Sequence, residues 1–152
     1  MATTTIEDIR ATAARVVDPE IPVLTIDDLG ILREVAWEED EIVVRITPTY
    51  SGCPALGQIE DDILAAMHTA GHEDVRVELV HHPAWSTDWI TPEGHRKLTD
   101  FGIAPPTSIS EVVCPRCLKG EPRLIAQFGS TACKALMVCS SCGDPFDYFK
   151  EY

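Results

Sequence analysis

Two closely spaced cysteine pairs near the C-terminus constrain the fold of this chain more than any other feature. Cys114 and Cys117 form one C-x2-C pair, and Cys139 and Cys142 form the second after a gap of 21 residues. Two residues between cysteines allow one tight turn to direct both sulfurs toward a single point, and two such turns can build a tetrahedral four-thiolate site. The gap slightly exceeds the roughly 15–20 residues that are usual in such ribbons. We therefore expect these four cysteines to be metal ligands.

The segment between the two pairs predicts a β-hairpin, with strands at residues 124–128 and 135–138, that brings the pairs together. A module of about 40 residues buries little apolar surface, so a bound metal would supply much of its folding free energy. A closed four-thiolate site favours zinc, while mononuclear iron or an iron–sulfur cluster uses the same ligands. Four free thiols or disulfides are the alternative without a metal.

The sequence also indicates the compartment. No apolar run approaches the roughly 20 residues that a membrane-spanning helix needs. Residues 1–8 have neither the basic start nor the apolar core of a signal peptide. We therefore expect a cytoplasmic protein, in which six cysteines indicate metal or redox chemistry rather than disulfides.

The charge of the chain is concentrated in its N-terminal part. Residues 1–110 contain 7 Lys and Arg against 20 Asp and Glu, a net charge of −13, whereas residues 111–152 contain 5 of each sign. A surface this negative repels phosphate backbones, so nucleic-acid binding by the N-terminal part is disfavoured. The simpler explanation, that the acidity only maintains solubility, stays open. The neutral C-terminal part favours docking to a protein.

The N-terminal part predicts five elements in the order α-β-β-α-β, a small sandwich. Apolar residues recur at helical spacing in two segments and alternate with polar residues in three others. The predicted helices are 5–17 and 54–70, and the predicted strands are 31–37, 41–47 and 74–80. Thr5 and Asp8 have the spacing of a capping box at the start of the first helix.

A further short helix is predicted to begin at Thr91-Pro92, with Thr91 as the cap, and to end near Gly102. The two consecutive prolines that follow indicate a linker at 105–110. The expected fold class is therefore α+β, with a first domain over 1–104 and a four-cysteine zinc ribbon over 111–152.

Cys53 lies between Gly52 and Pro54, at or next to the expected N-cap of the second helix. Unpaired backbone N–H groups and the helix dipole favour a thiolate at such a position. Such a sulfur is a good nucleophile or a ligand for a soft metal. The alternative is a cysteine packed beneath the helix.

Asp18 and Glu20 are acidic residues on a stiff loop, because prolines lie beside them. They can cap the first helix, orient a basic residue or coordinate a metal, and capping or a surface position is the simpler interpretation. Thr49 is close in sequence to Cys53 and can donate a hydrogen bond to its sulfur or to a bound ligand.

Cys133 lies outside both cysteine pairs. As a small apolar residue it fits a buried position, while exposure beside Lys134 would make it a second reactive thiol. His68 and His72 have i, i+4 spacing near a helix end. Without a carboxylate pattern beside them, solvated histidines are the default.

Three stretches of the N-terminal part have a distinctive sequence. They are Asp18-Pro19-Glu20-Ile21-Pro22, Asp28-Leu29-Gly30-Ile31 and Thr47-Pro48-Thr49-Tyr50-Ser51-Gly52-Cys53-Pro54. Together they resemble the signature of the SufT-like iron–sulfur assembly domain, which is the metal–sulfur cluster biosynthesis family.

Three later stretches are as distinctive. They are Trp85-Ser86-Thr87-Asp88-Trp89-Ile90, Gly102-Ile103-Ala104-Pro105-Pro106 and Phe128-Gly129-Ser130-Thr131-Ala132-Cys133-Lys134-Ala135. These resemble the PaaD family, the accessory proteins of phenylacetate degradation. The resemblance covers nearly the whole chain, including Cys53 and the four paired cysteines.

The resemblance implies a small α/β domain over 1–104 that assists iron–sulfur cluster assembly or delivery, with Cys53 at the position of the family's reactive thiol. It also implies a pathway in which the oxygenase is a multicomponent phenylacetyl-CoA epoxidase. That epoxidase has a di-iron catalytic component and a reductase with a [2Fe–2S] cluster and flavin. The implied client of this chain is the reductase, and a homodimer is a further expectation.

The leading hypothesis is a non-catalytic maturation factor. In it, Cys53, supported by Asp18, Glu20 and Thr49, holds or passes a transient cluster or iron while the ribbon docks the client. The alternative is a structural or regulatory subunit of the epoxidase complex without cluster transfer. An enzyme that acts through Cys53 is a weaker hypothesis, because no histidine is identifiably paired with it as a base. A transcription-like ribbon protein is weaker still, on charge grounds.

Overall fold

The structure of the chain, a computed structural model, describes residues 3–49 and 53–152. It separates into two compact units, residues 1–91 and residues 92–152. The first unit contains two helices and three strands in the predicted order α-β-β-α-β, and the second contains the cysteine pairs. These elements confirm the α+β fold class. The elements of the first unit are α1 (Ile6–Ala14), β1 (Leu32–Glu38), β2 (Glu41–Ile46), α2 (Leu56–Thr69) and β3 (Val75–Leu79).

The three strands of the first unit form one sheet in the order β1-β2-β3. β1 and β2 are antiparallel neighbours, and β2 and β3 are parallel. In the central strand β2, Val43 is as inaccessible as Ile42 and Val44, so successive side chains are buried on both faces of the sheet there. Alternation predicted a half-buried strand here, and the structure differs because both faces of the sheet are covered at these three residues.

The first helix begins as predicted, because the Thr5 side chain accepts the N–H of Asp8 while the Asp8 carboxylate accepts the N–H of Thr5. It ends at Ala14, earlier than the expected Val17. Val17 instead forms an isolated antiparallel bridge with Thr25. The chain thus leaves the helix early, since extended pairing replaces its last turn.

A chain of backbone hydrogen bonds joins the Asp18 loop to the end of β2. The Ile26 N–H donates to the Val16 carbonyl (2.8 Å), and the Ile31 N–H donates to the Ile26 carbonyl (2.9 Å). The Thr47 N–H then donates to the Ile31 carbonyl (2.9 Å). The Asp18 N–H in turn donates to the Leu24 carbonyl at 2.9 Å, so the described parts of the three N-terminal motifs are linked through one set of backbone hydrogen bonds.

Residues 85–91 are fastened to the turn that precedes β1. The indole N–H of Trp85 donates to the Leu29 carbonyl at 2.8 Å, and Trp85 is buried. The Thr91 N–H donates to the Asp28 carbonyl at 2.9 Å. These two bonds hold both ends of the segment, which explains why a stretch with irregular sequence is ordered.

Gly30 allows the same segment to pack closely. Its φ of +75° lies in the left-handed region, and a Cβ at this position would lie 2.6 Å from both the Cβ and the carbonyl oxygen of Trp89. The Arg33 guanidinium lies 3.9 Å from the centroid of the Trp89 ring. Trp89 is thus fixed between a glycine that admits its backbone and a cation that covers its ring.

The second unit contains four strands, β4 (Ile103–Ala104), β5 (Arg123–Ala126), β6 (Lys134–Val138) and β7 (Pro145–Phe149). They form one sheet in the order β4-β7-β6-β5. β4 is parallel to β7, and the other pairs are antiparallel. The predicted hairpin is therefore present as β5 and β6, and β7, which was not predicted from the sequence, covers the other side of β6. The second unit also contains α3 (Pro92–Asp100) and a one-turn 3₁₀ helix at Ile109–Glu111. A second one-turn 3₁₀ helix, at Thr87–Trp89, lies in the first unit.

The observed units differ from the predicted division into 1–104, a linker at 105–110 and a ribbon at 111–152. The boundary lies between Thr91 and Pro92. Residues 103–104 belong with the ribbon because Ile103 pairs with Asp147 and Ala104 pairs with Tyr148 of β7. A two-residue strand is too short to be recognised from its own sequence.

None of the helices within residues 3–49 and 53–152 is long and apolar enough to span a bilayer.

Candidate functional site

The four paired cysteines converge in the second unit. Their sulfurs all lie within 4.8 Å of one another, with 3.5 Å between Cys117 and Cys139 and 3.8 Å between Cys114 and Cys142. A disulfide would need about 2.0 Å between sulfurs, and none of the six cysteines, all of which the structure describes, forms one. The cysteine pair that precedes β5 and the pair that follows β6 thus face a common centre.

The two cysteine turns have the same hydrogen-bond pattern. In the first, the Leu118 N–H donates to the Cys114 carbonyl (2.9 Å), and in the second the Gly143 N–H donates to the Cys139 carbonyl (3.0 Å). The first cysteine of each turn also donates its own N–H to the carbonyl of the residue five positions later. The Cys114 N–H donates to the Lys119 carbonyl (3.0 Å), and the Cys139 N–H donates to the Asp144 carbonyl (2.9 Å). Two independent segments therefore repeat one conformation.

Both turns need a left-handed residue at the equivalent position. Gly143 has a φ of +78°, which glycine adopts without strain, whereas Leu118 has a φ of +59°. For a residue with a side chain this conformation costs about 1–2 kcal/mol. The first turn is therefore the more strained of the two.

Backbone N–H groups also point at a sulfur. Those of Ser141 and Cys142 approach the Cys139 Sγ at 3.3 and 3.4 Å. The N–H of Cys142, aided by that of Ser141, lowers the pKa of Cys139 to about 6. At Cys142, a backbone hydrogen bond from Asp144 lowers the pKa, but burial and the neighbouring Cys139 sulfur outweigh it. The pKa of Cys142 is therefore raised to about 12. The backbone of the second turn thus stabilises the thiolate form of Cys139.

The donor set fits a single metal ion. Four sulfurs placed about 2.3 Å from a tetrahedral zinc lie about 3.8 Å from each other. The sulfurs of Cys117 and Cys139 are 3.5 Å apart, and those of Cys114 and Cys142 are 3.8 Å apart. A multi-iron cluster would place several metals and bridging sulfides between the cysteines and hold the sulfurs farther apart. The separation therefore favours one ion, zinc or iron, over a cluster.

A small apolar core supports this centre. Cys114 and Cys139 are buried, and they belong to one packed cluster with Val112, Met137 and Phe146. The remaining members of that cluster are Ala104, Ala135 and Tyr148. Eight residues make a modest core, so a metal ion held by the four cysteines would add substantially to the stability of the second unit.

Cys53 is half-buried and lies before α2 rather than at its N-cap. The helix begins at Leu56, with Ala55 as N-cap, so Cys53 is two residues before the cap. Its carbonyl accepts the Leu56 N–H at 3.2 Å. The predicted cap position was wrong by this offset, because Pro54 and Ala55 form a turn that precedes the helix. The dipole argument for a thiolate is correspondingly weaker.

The structure does bring Thr49 to Cys53, with 3.9 Å between the Thr49 hydroxyl oxygen and the Cys53 sulfur. Thr47 lies in the same segment, and its hydroxyl is fully buried without a hydrogen-bond partner in the described part of the chain. A buried hydroxyl without a partner costs about 1–3 kcal/mol. The Thr47 hydroxyl is therefore a buried polar group that no hydrogen bond within the described residues satisfies. Residues 50–52 of the motif lie outside the described residues.

Asp18 is buried, and its carboxylate caps its own loop. Oδ1 accepts the N–H of Glu20 at 2.7 Å and the N–H of Ile21 at 2.9 Å. The predicted capping role is thus present for the turn after α1 rather than for the helix itself. Glu20 is half-buried on this turn. The role of both acids toward Cys53 stays a prediction.

Cys133 is buried, which agrees with its interpretation as a packed residue, and its sulfur lies 3.0 Å from the Thr131 hydroxyl. Lys134 beside it is also buried, with its ammonium 3.9 Å from Asp147. A Cβ on Gly129 would lie 2.7 Å from the same carboxylate. The ion pair of Lys134 with Asp147 was not predicted from the sequence, because it depends on the pairing of β6 with β7.

The histidines take no part in such a cluster. Among residues 3–49 and 53–152, the four paired cysteines form the one group of His, Cys, Asp or Glu side chains close enough to share a metal ion.

Comparison with known families matches two consecutive parts of the chain. The family model described as "Iron-sulfur cluster assembly protein" matches residues 6–79, and the one described as "PaaD zinc beta ribbon domain" matches residues 103–150. The first includes Cys53, and the second includes all four paired cysteines. Each model thus falls within one of the two observed units.

Individual relatives agree with this division. A protein of Escherichia coli K12, provisionally named as one of the subunits of 1,2-phenylacetyl-CoA epoxidase, is 49% identical over 95% of this chain and 92% of its own length. An "Fe-S protein maturation auxiliary factor" of Porphyromonas gingivalis is 34% identical over 60% of this chain and 89% of its own. The crystal structure of a DUF59 domain from Bacillus anthracis superposes with a TM-score of 0.57 and 28% identity, over 61% of this chain and 90% of that one.

Proposed function

This chain belongs to the PaaD family, in which an iron–sulfur cluster assembly domain is followed by a zinc ribbon, and from that premise we propose that it is a maturation factor for a phenylacetyl-CoA epoxidase system. Its role is non-catalytic. It assists the assembly of an iron–sulfur cluster or its delivery to the reductase component during aerobic phenylacetate degradation. The relatives named as an epoxidase subunit and as an Fe–S maturation factor support the two halves of this proposal.

The contact between Thr49 and Cys53 is the observation that carries the proposal. Cys53 is accessible enough to meet a ligand, and the Thr49 hydroxyl at 3.9 Å donates toward its sulfur. Such a donor stabilises a thiolate or a metal-bound sulfur. In this function Cys53 binds iron or a cluster as cargo, while Thr49 orients the sulfur. Asp18 and Glu20 support the loop from the neighbouring hydrogen-bonded segment.

The second unit holds a structural ion, for which zinc is proposed. Cys114, Cys117, Cys139 and Cys142 would complete its four-coordinate shell and leave no position for a substrate. The ion ties the two cysteine turns together in a unit whose own core is small. Its contribution is therefore to keep the ribbon folded for docking, not to react.

Replacement of the proposed carrier residue tests this function. In cells that contain Cys53→Ala as their only copy, the purified reductase should contain less iron and acid-labile sulfide than with the wild-type chain. Cys133→Ala is the matched control, because this second cysteine outside the metal centre is buried and should leave cluster content unchanged. Full cluster occupancy with Cys53→Ala would refute the carrier role.

The alternative is a structural or regulatory subunit of the epoxidase complex without cluster transfer. The word "subunit" in the name of the Escherichia coli relative favours it. Under this alternative the chain co-purifies in stoichiometric amount with the catalytic components, and its deletion leaves the reductase cluster intact. Cluster content after deletion therefore separates the two functions.

A further inference from the structure

One buried hydroxyl of the first unit has no hydrogen-bond partner. Thr47 is 1% exposed, and its Oγ1 is the one unpaired atom among the buried side-chain nitrogens and oxygens of residues 3–49 and 53–152. The backbone of the same residue is satisfied, because its N–H donates to the Ile31 carbonyl at 2.9 Å. Buried polar groups in folded proteins are nearly all paired, so an unpaired one indicates a ligand, ion or water that completes it.

Other threonines of the unit show how readily such a hydroxyl finds a partner. The Thr25 hydroxyl accepts the Asp28 N–H at 3.0 Å, and the Thr12 hydroxyl donates to the Asp8 carbonyl at 3.2 Å. Both residues are half-buried and therefore have water as a second source of hydrogen bonds. The Thr47 hydroxyl has neither source, and a buried polar group in that condition lowers the stability of the fold.

Thr47 lies at the carboxyl end of the central strand, on the connection that carries Cys53. It is the first residue after β2, and Cys53 follows on the same path to α2. β2 and β3 are parallel and α2 joins them. Open parallel sheets of this kind bind ligands in the crevice outside the carboxyl ends of their strands. The unpaired hydroxyl and the cysteine therefore share the end of the sheet at which a ligand is expected.

The proline between the two threonines determines where the Thr47 side chain points. A residue that precedes proline is confined to extended conformations, and side chains two positions apart along an extended chain lie on one side of it. The Thr49 hydroxyl lies 3.9 Å from the Cys53 sulfur. Thr47 is buried and Thr49 is half-buried. The segment thus has an inner and an outer hydroxyl on the side that faces Cys53.

A metal-bound sulfur is the acceptor that suits the inner hydroxyl. A thiolate or sulfide bound to iron carries negative charge and accepts hydrogen bonds more strongly than a neutral thiol does. A hydroxyl hydrogen that has no other acceptor can turn toward such a sulfur without breaking an existing bond. The hydrogen bond therefore becomes worthwhile only when the cargo is present.

We propose that the Thr47 hydroxyl is a positioning donor reserved for the cargo. It is unpaired in the empty chain, and it donates to an anionic sulfur of iron or of a cluster bound at Cys53. Cys53 precedes the N-cap of α2, so its side chain turns toward Thr47 without displacing the helix. The inference rests on the proposed function for the cargo. It goes further by assigning a second donor besides Thr49 and the loaded state in which that donor acts.

The same chemical change at two threonines tests the empty chain. Valine keeps the shape of threonine and removes the hydroxyl. In the full-length chain with its ribbon metal in place, Thr47→Val should raise the folding equilibrium constant of the first unit by about five-fold or more, because an unpaired buried group is removed. Thr25→Val should lower it by about two- to ten-fold, because the Asp28 N–H loses its acceptor. Urea titration measures both, and an unchanged or lower midpoint for Thr47→Val would overturn the proposal.

Iron binding should change in the opposite direction. Ferrous iron, alone or with sulfide, is added without oxygen to the same full-length chains, and iron that Cys53→Ala fails to retain is assigned to Cys53. Thr47→Val should weaken binding of this iron by about ten-fold or more, and Thr47→Ser, which keeps the hydroxyl, by less than about three-fold. A loss with iron alone identifies the Cys53 thiolate as the acceptor, and a loss only with sulfide identifies a cluster sulfide. Wild-type affinity of Thr47→Val under both conditions would refute the reserved donor.

Measurements in cells separate this inference from the maturation function. With Thr47→Val as the only copy, the purified reductase should contain less iron and acid-labile sulfide although the variant chain is more stable, so misfolding does not explain the loss. If Cys53→Ala depletes the reductase but Thr47→Val binds iron like the wild-type chain, the maturation function stands and the donor fails. If Cys53→Ala leaves the reductase cluster full while Thr47→Val still weakens iron binding to the purified chain, the donor stands and the maturation function fails.

Discussion

The packing of Trp89 against Gly30 can be tested by a series of three glycine substitutions in the first unit. Gly57, Gly71 and Gly30 differ in two respects, backbone conformation and the space around a new Cβ. Gly57 has an ordinary φ, and a Cβ there would meet nothing within 4 Å. Gly71 has a φ of +93° and is equally open, whereas Gly30 combines a φ of +75° with contacts of 2.6 Å to Trp89. Alanine at each position therefore adds one cost at a time.

The magnitudes follow from these two terms. Gly57→Ala should stabilise the unit by about 0.4–1 kcal/mol, because it reduces the entropy of the unfolded chain without strain. Gly71→Ala should destabilise it by about 1–2 kcal/mol, since alanine resists the left-handed conformation. Gly30→Ala has the same backbone cost plus about 1–3 kcal/mol for forcing Trp89 to move. We expect a total of about 2–5 kcal/mol for Gly30.

Thermal unfolding followed by circular dichroism, with urea titration as a second measure, gives the three differences. For a unit of this size, 1 kcal/mol corresponds to about 4–8 °C in Tm. Gly71→Ala then serves as the control for backbone strain, and the excess loss in Gly30→Ala reports the contact with Trp89. If Gly30→Ala cost no more than Gly71→Ala, the segment 85–91 would not pack as described.

Three further predictions concern other contacts. Asp18→Ala should destabilise the first unit by about 1–3 kcal/mol in urea titration, because two buried N–H groups lose their acceptor, and an unchanged midpoint would contradict the cap. Gly143→Ala should weaken metal binding about five- to thirty-fold in chelator competition. The left-handed φ costs alanine about 1–2 kcal/mol, and about 1.4 kcal/mol corresponds to a factor of ten in affinity. Leu118→Gly, at the equivalent position of the first turn, should not weaken metal binding. Removal of the metal should unfold the ribbon while the near-UV signal of the three tryptophans, which all lie in the first unit, persists. Full retention of ribbon structure would show that the metal is not needed for folding.

Local sequence signals predicted the elements whose cause is local. The capping box of Thr5 and Asp8 needs only four residues of chain, and it is present with both reciprocal bonds. The convergence of the paired cysteines follows similarly from two short turns. The order α-β-β-α-β was predicted because helical and alternating apolar spacing are properties of single segments.

What was not predicted depends on contacts between distant segments. Trp85 reaches Leu29 across 56 positions, and nothing in either local sequence indicates the other. β7 could have been found from the alternation of Phe146 and Tyr148 with polar Asp147, which is a usable strand signal. β4 is likewise recognisable only by its pairing with β7, so residues 103–104 could not be assigned to the ribbon sheet from their own sequence.

The two kinds of cysteine site differ in how readily each releases a bound metal, and this difference bears on the proposed function. Four converging thiolates bind zinc with about 10–16 kcal/mol of free energy, which suits a permanent structural ion and opposes transfer. Cys53 supplies a single sulfur with one hydroxyl donor at 3.9 Å, so cargo bound there needs further ligands from elsewhere. Under the proposed function the client itself can provide those ligands, and each one that it adds draws the cargo away from Cys53. A weak site beside a docked client thus favours delivery, whereas the tighter site favours a ribbon that stays folded throughout.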